Sequence, residues 1–395
     1  MRRILFLTLT VLLYSCSSDS TSNEEQDEPD IVTDDPTENP VENPSNEIGY
    51  NLTTVDERDF VYYQVDIDKT GKLSTEINLN EEFGVDESTY APDEIEGSHF
   101  TLYHRNRLKF WQKNLVTGEI STHDFYDDLV GLNAGIDKSF SALNSFGGLG
   151  AHIDEMDQGL YGVFYKGGDG KLKLIDLGNG VYRIADFFGD YIVTKGQDYD
   201  IGKNRIVVID TTKDEIVLDL PLELGTNFGA TVLNDKLYIL NADLNYLVYD
   251  MVTFEKIDEG TFSQYWYSEE GQRQVFNNRS EGSNVLTKVH YNFPSITYGP
   301  AIYNLDQDQF THGLDKFLAS SEFRDKLLGL EPNFSYFQGY DVDLDAKKVV
   351  ISYALSDNGI GVPNPKGGIL LVDFNGNILA QVKMEHSPDY VVIKD

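Results

Sequence analysis

The chain has 395 residues, 66 Asp and Glu against 31 Lys and Arg, a formal net charge of −35 and one cysteine. A charge of that sign repels phosphate backbones and argues against nucleic-acid binding. One thiol excludes an internal disulfide, and its position at Cys16 leaves the body without cysteine-nucleophile or thiolate-metal chemistry.

Arg2 and Arg3 precede an apolar run from Ile4 to Leu13. That run is too short to span a bilayer, which takes about twenty residues, and has the length of a secretory h-region. Leu13-Tyr14-Ser15-Cys16 then places an aliphatic residue, a small residue and a cysteine at the right spacing, with Tyr14 a less usual middle occupant. The segment resembles a bacterial lipobox. The resemblance implies that 1–15 is a signal peptide, that the Cys16 thiol carries diacylglycerol, and that the new amine is acylated. Buried acyl chains at about 0.8 kcal/mol per methylene then hold the protein on a membrane. The alternative is a plain signal peptide with a cysteine close by.

Residues 17–49 carry eleven Asp or Glu, four Pro and no Lys or Arg. One charge sign, low hydrophobicity and scattered proline predict a disordered tether over 16–49. The acidic, serine-rich start resembles the surface-export signals of Bacteroidota lipoproteins, which implies an outer-membrane anchor facing outward; a periplasmic face is the alternative. Setting aside Arg2, Arg3 and the eleven tether acids leaves −26 for the body, 50–395.

The body reads as all-β. Runs rich in β-branched and aromatic residues recur, among them FVYYQVDI (60–67), LKFWQKN (108–114), RIVVID (205–210), KLYILN (236–241), YLVYD (246–250), KVVISYAL (348–355) and GILLVDF (368–374). Turn-opening residues Asp66, Asn114, Asp176, Asp210, Asp250, Asn304 and Asp373 lie 48, 62, 34, 40, 54 and 69 residues apart, close to the length of a four-stranded propeller blade. The expected fold is a β-propeller of about seven blades, with six or eight as alternatives and two β-sandwiches as the rival. THGLDKFLASSEFRDKLLGL (311–330) has helical apolar spacing and predicts one helical insertion. PDYVVIKD (388–395) is a strand with no following partner, as expected if it completes the first blade and closes the ring. The glycine-rich GGLGAH (147–152) and KGGDGK (166–171) lack the spacing of a phosphate loop and read as turns.

Together the lipobox, tether and blade-like VIDTTKDEI pattern resemble the propeller-type surface lipoproteins of the Bacteroidota. Some of that group accompany TonB-dependent transporters as capture proteins for iron–siderophore complexes. The resemblance implies a membrane-anchored protein that passes a small-molecule or glycan ligand to an adjacent transporter; it carries over no site residue.

No nucleophile elbow, zinc motif or dinucleotide fingerprint is present, so a non-enzymatic binder is expected and no cofactor is predicted. One segment opposes the acidic background: YHRNRLKFWQK (103–113) sets Arg105, Arg107 and Lys109 among Tyr103 and Trp111. Cations among aromatic rings suit an anionic aromatic ligand such as a ferric catecholate; the plain alternative is a solvated hairpin around Asn106. Trp266, between Tyr265 and Tyr267, is a second stacking candidate. Asp66 with Asp68, and Asp341, Asp343 and Asp345, are the calcium candidates, although neither spacing completes an EF-hand loop. Their alternative is turn carboxylates that cap backbone amides. The rival functions are a polysaccharide-acting enzyme with carboxylates in the channel and a protein-docking scaffold.

Overall fold

A computed structural model of the chain describes residues 44–394 apart from 86–89, 97, 105–107, 143–144, 154–158, 223–227, 242, 264–279, 282, 293–295, 311–320 and 357–362. Cys16, the signal segment and the tether up to residue 43 lie outside the described residues. Among the described residues, no helix is long and apolar enough to cross a membrane.

The apolar runs pair as antiparallel hairpins and assemble into seven four-stranded sheets. Blade 1 comprises Leu52–Arg58, Val61–Ile67, Ile77–Asn78 and, from the far end of the chain, Tyr390–Ile393. Blades 2 to 7 span 90–124, 134–178, 180–222, 228–261, 280–310 and 334–384. Each junction between blades has its own apolar core. Phe100 and Trp111 pack on Val55 and Tyr62 between blades 2 and 1, and Phe146 and Phe164 pack on Leu108 and Phe110 between blades 3 and 2. Similar clusters join blades 3 and 4, 4 and 5, 5 and 6, and 6 and 7. The seventh sets Ile369 and Leu371 of blade 7 on Val65 and Ile67 of blade 1. Seven junctions for seven blades make a closed ring, so the chain is a seven-bladed β-propeller. A blade is covered on both faces by its neighbours, which is why KVVISYAL is buried almost throughout and shows no alternation.

Turn chemistry repeats from blade to blade. Where the third strand ends, an Asp or Asn side chain accepts backbone N–H groups two to four residues on: Asp68 from Thr70 and Lys72, Asn114 from Val116 and Thr117, Asp250 from Val252 and Thr253, and Asp373 from Asn375 and Asn377. Against the burial that would raise it, the Lys213 ammonium and the Thr212 hydroxyl and N–H hold the Asp210 carboxyl down to about 2. Asp176 departs from the expected series. It lies on the fourth strand of blade 3, Leu172–Gly178, and the equivalent turn is KGGDGK, where Asp169 accepts the Lys171 N–H. GGLGAH is not a turn but part of the strand Ser145–Ile153. A Cβ on Gly150 would stand 2.0 Å from the Gly135 carbonyl oxygen, so glycine there permits close strand approach rather than a bend. The expected helix occupies Ser321–Leu330, and 311–320 lies outside the described residues.

Antiparallel order sorts the connections onto two faces. First strands of neighbouring blades touch one another at the ring axis, as in blades 2 and 3, 3 and 4, and 7 and 1. Every first-to-second and third-to-fourth connection therefore lies on one face, termed here the turn face. The second-to-third and blade-to-blade connections lie on the other. That second face carries the helices Leu79–Phe83, Tyr126–Gly131 and Ser321–Leu330 and is termed the helix face. Both described chain ends are on the turn face, because Leu52 opposite Ile393 stands where blade 1 would otherwise have its first connection.

The ordered body reaches back further than composition suggests. Ser45 bridges Ala380 on the outer strand of blade 7, its carbonyl accepts the Gln381 N–H at 2.8 Å, and Ile48 is fully buried between blades 7 and 1. The ring is thus fastened by both ends of the chain. Deleting 388–395 removes the strand opposite Leu52–Val55 and the buried Val391 and Val392. At about 1.5–3 kcal/mol per valine, that loss approaches the lower end of a typical total stability of about 5–15 kcal/mol. The truncated protein is expected to aggregate or to melt at least about 5 °C lower by calorimetry and gel filtration; a parent-like melting temperature would show that the strand does not hold the ring.

Candidate functional site at the ring axis

The inner strands of blades 3, 4 and 7 break register on the helix-face side. In blade 3 the pairing slips between Ile136 and Lys138, and in blade 4 between Tyr182 and Ile184, leaving Asp137 and Arg183 unpaired at equivalent positions. Blade 7 slips twice, at Ser335 and at Gln338-Gly339, whereas the slip of blade 2 between Asp93 and Glu96 lies near the turn face. A bulge bends its strand and re-aims the extra side chain, and such irregularities gather beside functional sites. Asp137 and Arg183 are both exposed. The Tyr161 hydroxyl donates to Asp137 at 2.9 Å, and Lys138 Nζ donates to the Arg183 carbonyl at 3.1 Å, crossing from blade 3 to blade 4. Burial first, then the Asp137 carboxylate, pushes the Tyr161 phenol up, so it stays a donor. Arg183 makes no ion pair among the described residues, which leaves its guanidinium available to an anion.

A second polar group sits where the ring closes. Asp389 Oδ2 accepts the Glu57 N–H and Oδ1 accepts Gln338 Nε2, both at 2.7 Å. Gln338 Oε1 in turn accepts the Ser387 hydroxyl, whose oxygen also lies 2.9 Å from the Tyr353 carbonyl oxygen. Burial, augmented by the charges of Asp56 and Glu57 and opposed by the Glu57 N–H, pushes the Asp389 carboxyl up to about 6. Asp56 is also held up, because its burial outweighs Arg58, which bonds it at 2.5 Å and reaches Glu76 at 2.5 Å. A carboxyl near 6 has the proton affinity of an acid–base catalyst. Here both oxygens already accept N–H groups that tie the closing strand to blades 1 and 7, so Asp389 acts as a clamp.

The residues singled out in the sequence are scattered. Trp111 is 6% exposed in the core between blades 1 and 2, and Tyr103 packs against the core between blades 2 and 3 with its ring 6.4 Å from Phe110. Lys109 pairs with Asp124 at 3.0 Å and lies 5.1 Å from the Trp111 ring, while Lys113 is buried against Glu82 at 2.5 Å. In the described part of the segment these rings fill cores and the two lysines meet acids. Arg105, Arg107 and Trp266 lie outside the described residues.

The calcium candidates are taken up as structural acceptors. Asp66 pairs with Lys394 at 3.1 Å, Asp68 caps its turn, buried Asp341 accepts the Val342 and Ile393 N–H groups, and Asp343 accepts the Ala346 N–H and the Tyr50 hydroxyl. Asp345 is exposed. Among the described residues, no three His, Cys, Asp or Glu side chains converge as a metal site. A groove of about 520 Å³ opens beside Asp66 and Asp68 on the turn face, lined also by Lys72, Leu73, Val116 and Lys394.

Sequence reading missed the bulge residues Asp137, Arg183 and Gln338. The available signal was a glycine close to each slip, Gly135, Gly180 and Gly339, since glycine inside a strand marks a bulge.

No protein-family model and no curated protein matches the chain. Among solved structures it is similar to the dihydro-heme d1 dehydrogenase NirN in complex with DHE, 10% identical over 89% of this chain and 77% of that one, with a TM-score of 0.46. It is also similar to the computationally designed Ika8 protein, 11% identical over 89% and 93% at a TM-score of 0.43. BamB from Moraxella catarrhalis is 11% identical over 84% and 87% at a TM-score of 0.34. Likeness at this level carries nothing about ligand or activity.

The Asp389 clamp has a pH signature. With a folded value near 6 and an ordinary value of 3.8, its stabilising contribution is complete below about pH 4 and is lost as pH rises through 6. Asp389→Asn removes that titration, and a flipped Gln338 amide can restore both hydrogen bonds. The variant should gain about 2 kcal/mol relative to the parent between pH 4 and pH 7. Urea melts across that range check it; parallel pH profiles would mean that Asp389 does not titrate near 6.

Proposed function

We propose that the chain is a lipoprotein anchored through Cys16 to the outer membrane, facing outward, which captures a ligand at the axis on its helix face for an adjacent transporter. The observation that supports it most is the separation of faces. The first described residues, at Ser45, meet the ring on the turn face, and the bulged inner strands of blades 3, 4 and 7 open toward the other. A tethered ring of this kind presents its binding face away from its attachment. Exposed polar groups at the mouth, Asp137 and Arg183 among the described residues, suit the binding of a polar ligand. The ligand class is anionic and small, with ferric catecholate siderophores and acidic oligosaccharides as the two forms to test.

Two measurements check this. Cys16→Ala should shift the protein from the membrane to the soluble or unprocessed fraction and abolish lipid labelling, and retained labelling would remove the anchor. Titration of the purified body with ferric siderophores and acidic oligosaccharides, followed by tyrosine and tryptophan fluorescence, should find a ligand below millimolar concentration. Replacing Arg183 with alanine removes a charge-assisted contact of about 1.5–3 kcal/mol, so binding should weaken by about one to two decades. Equal binding by the variant would move the site away from the axis.

A further inference from the structure

Four large apolar side chains among the described residues sit in the left-handed backbone region: Phe60 (φ 68°), Leu108 (φ 47°), Leu244 (φ 67°) and Phe254 (φ 57°). This conformation suits glycine and strains bulky residues. Packing accounts for three of them. Leu108 is fully buried between blades 2 and 3, Leu244 packs against the core between blades 5 and 6, and Phe254 meets the Tyr191 ring at 5.8 Å. Phe60 is 63% exposed and makes no ring contact among the described residues.

Phe60 is at the tip of the two-residue turn between the second and third strands of blade 1, on the helix face. Its backbone is held firmly: Asn80 Nδ2 donates to the Phe60 carbonyl at 3.3 Å, and Asn80 Oδ1 accepts the Tyr62 N–H at 2.9 Å. A glycine would make this turn without strain, so folding alone gives no reason for an aromatic ring there. Strain that the fold does not need is a mark of a functional position.

Other connections on the same face also carry exposed apolar groups, although they belong to other blades. Val130 is 62% and Tyr126 44% exposed on the helix after blade 2, and Tyr199 is 54% and Ile201 52% exposed in blade 4. Exposed acids stand beside each of them: Asp59 next to Phe60, Asp127 and Asp128 between Tyr126 and Val130, and Asp200 between Tyr199 and Ile201. We propose that the Phe60 turn, with Asp59 beside it, anchors a docking surface on the helix face for a cationic protein segment. The Phe60 ring enters an apolar pocket of that partner, and the partner's Lys or Arg side chains meet the acids. Rigid exposed aromatics at the centre of a charged rim are the usual anchors of protein interfaces. Charge selects the partner class. A second copy of this chain would bring the same acids into opposition, and an anionic lipid surface would be repelled. The surface stands on the geometry of Phe60 and does not depend on ligand capture at the axis.

The test replaces Phe60 with photoreactive p-benzoylphenylalanine in the full-length chain in its own cells, with the same substitution at Val252, 76% exposed on the turn face, as control. One protein should be cross-linked from position 60 and not from 252, through a peptide with more Lys and Arg than Asp and Glu. A synthetic copy of that peptide should bind the purified protein, and bind more weakly as salt rises. Phe60→Gly should weaken this binding at least tenfold while the variant melts at or above the parent temperature, since the turn is relaxed. No adduct from position 60, an adduct with a second copy, an acidic linked peptide, or equal binding by Phe60→Gly would each overturn the proposal.

Discussion

Ring closure is the constraint on which the other features depend. Tyr390–Ile393 takes the inner place of blade 1 and pairs with Leu52–Val55, so the first and last strands of the body belong to one sheet. Without that pairing the core of Ile369 and Leu371 against Val65 and Ile67 would face water, and the remaining cores would have an open edge. Closure also decides orientation, because it puts both chain ends on the turn face. The polar clamp of Asp389, Gln338 and Ser387 lies at the same junction, on the helix-face end of the closing strand. Ring integrity and the electrostatics of the axis are therefore set by neighbouring residues.

The acids divide into two populations with opposite pH behaviour. Turn carboxylates such as Asp68, Asp210 and Asp250 are held below their ordinary values, Asp68 and Asp250 chiefly by hydrogen bonds and Asp210 by Lys213 and Thr212 against its burial. Their contribution is present at neutral pH and is lost only as pH falls through those lowered values. Asp389 and Asp56 at the closure are held above theirs by burial, and their contribution declines as pH rises. A large net negative charge thus says little about ligand preference, since many of its carriers are turn caps repeated from blade to blade.

Much of the fold was legible because each blade repeats one local solution. KLYILN and KVVISYAL are strands over the residues their composition marks, and PDYVVIKD closes the ring as its lone position suggests. The blade count followed from turn residues, five of which end the third strand of a blade, as Asn114, Asp210 and Asp373 do, while Asp66 stands one residue before the end of its strand. Side-chain destination was less legible. Trp111 and Lys109 read as a cationic, aromatic surface, but a central strand of a blade has no solvent face, and Trp111 went into the core. Composition cannot distinguish a ring that stacks on a ligand from one that stacks on the next blade. GGLGAH failed as a turn for a related reason: its glycines answer close approach between strands, a tertiary demand.

Register slips occur toward both faces, but the departures that involve exposed or titrating side chains share one side. On the turn face, Asp, Asn and Gly occupy the turns they favour, and nearly every positive φ there belongs to such a residue or to a packed side chain such as Phe254. On the helix-face side lie the bulges at Asp137, Arg183 and Gln338, the raised carboxyl of Asp389, and the exposed ring of Phe60 in a backbone region that suits glycine. A sequence that specifies one fold keeps its levels consistent and breaks local rules mainly where function asks for it. Seven similar blades could have been built with uniform inner strands and glycine at every tight turn. The bulges of blades 3, 4 and 7, the raised carboxyl of Asp389 and the exposed Phe60 ring share the side opposite the two described chain ends, and that coincidence is a structural reason to look for binding on that face.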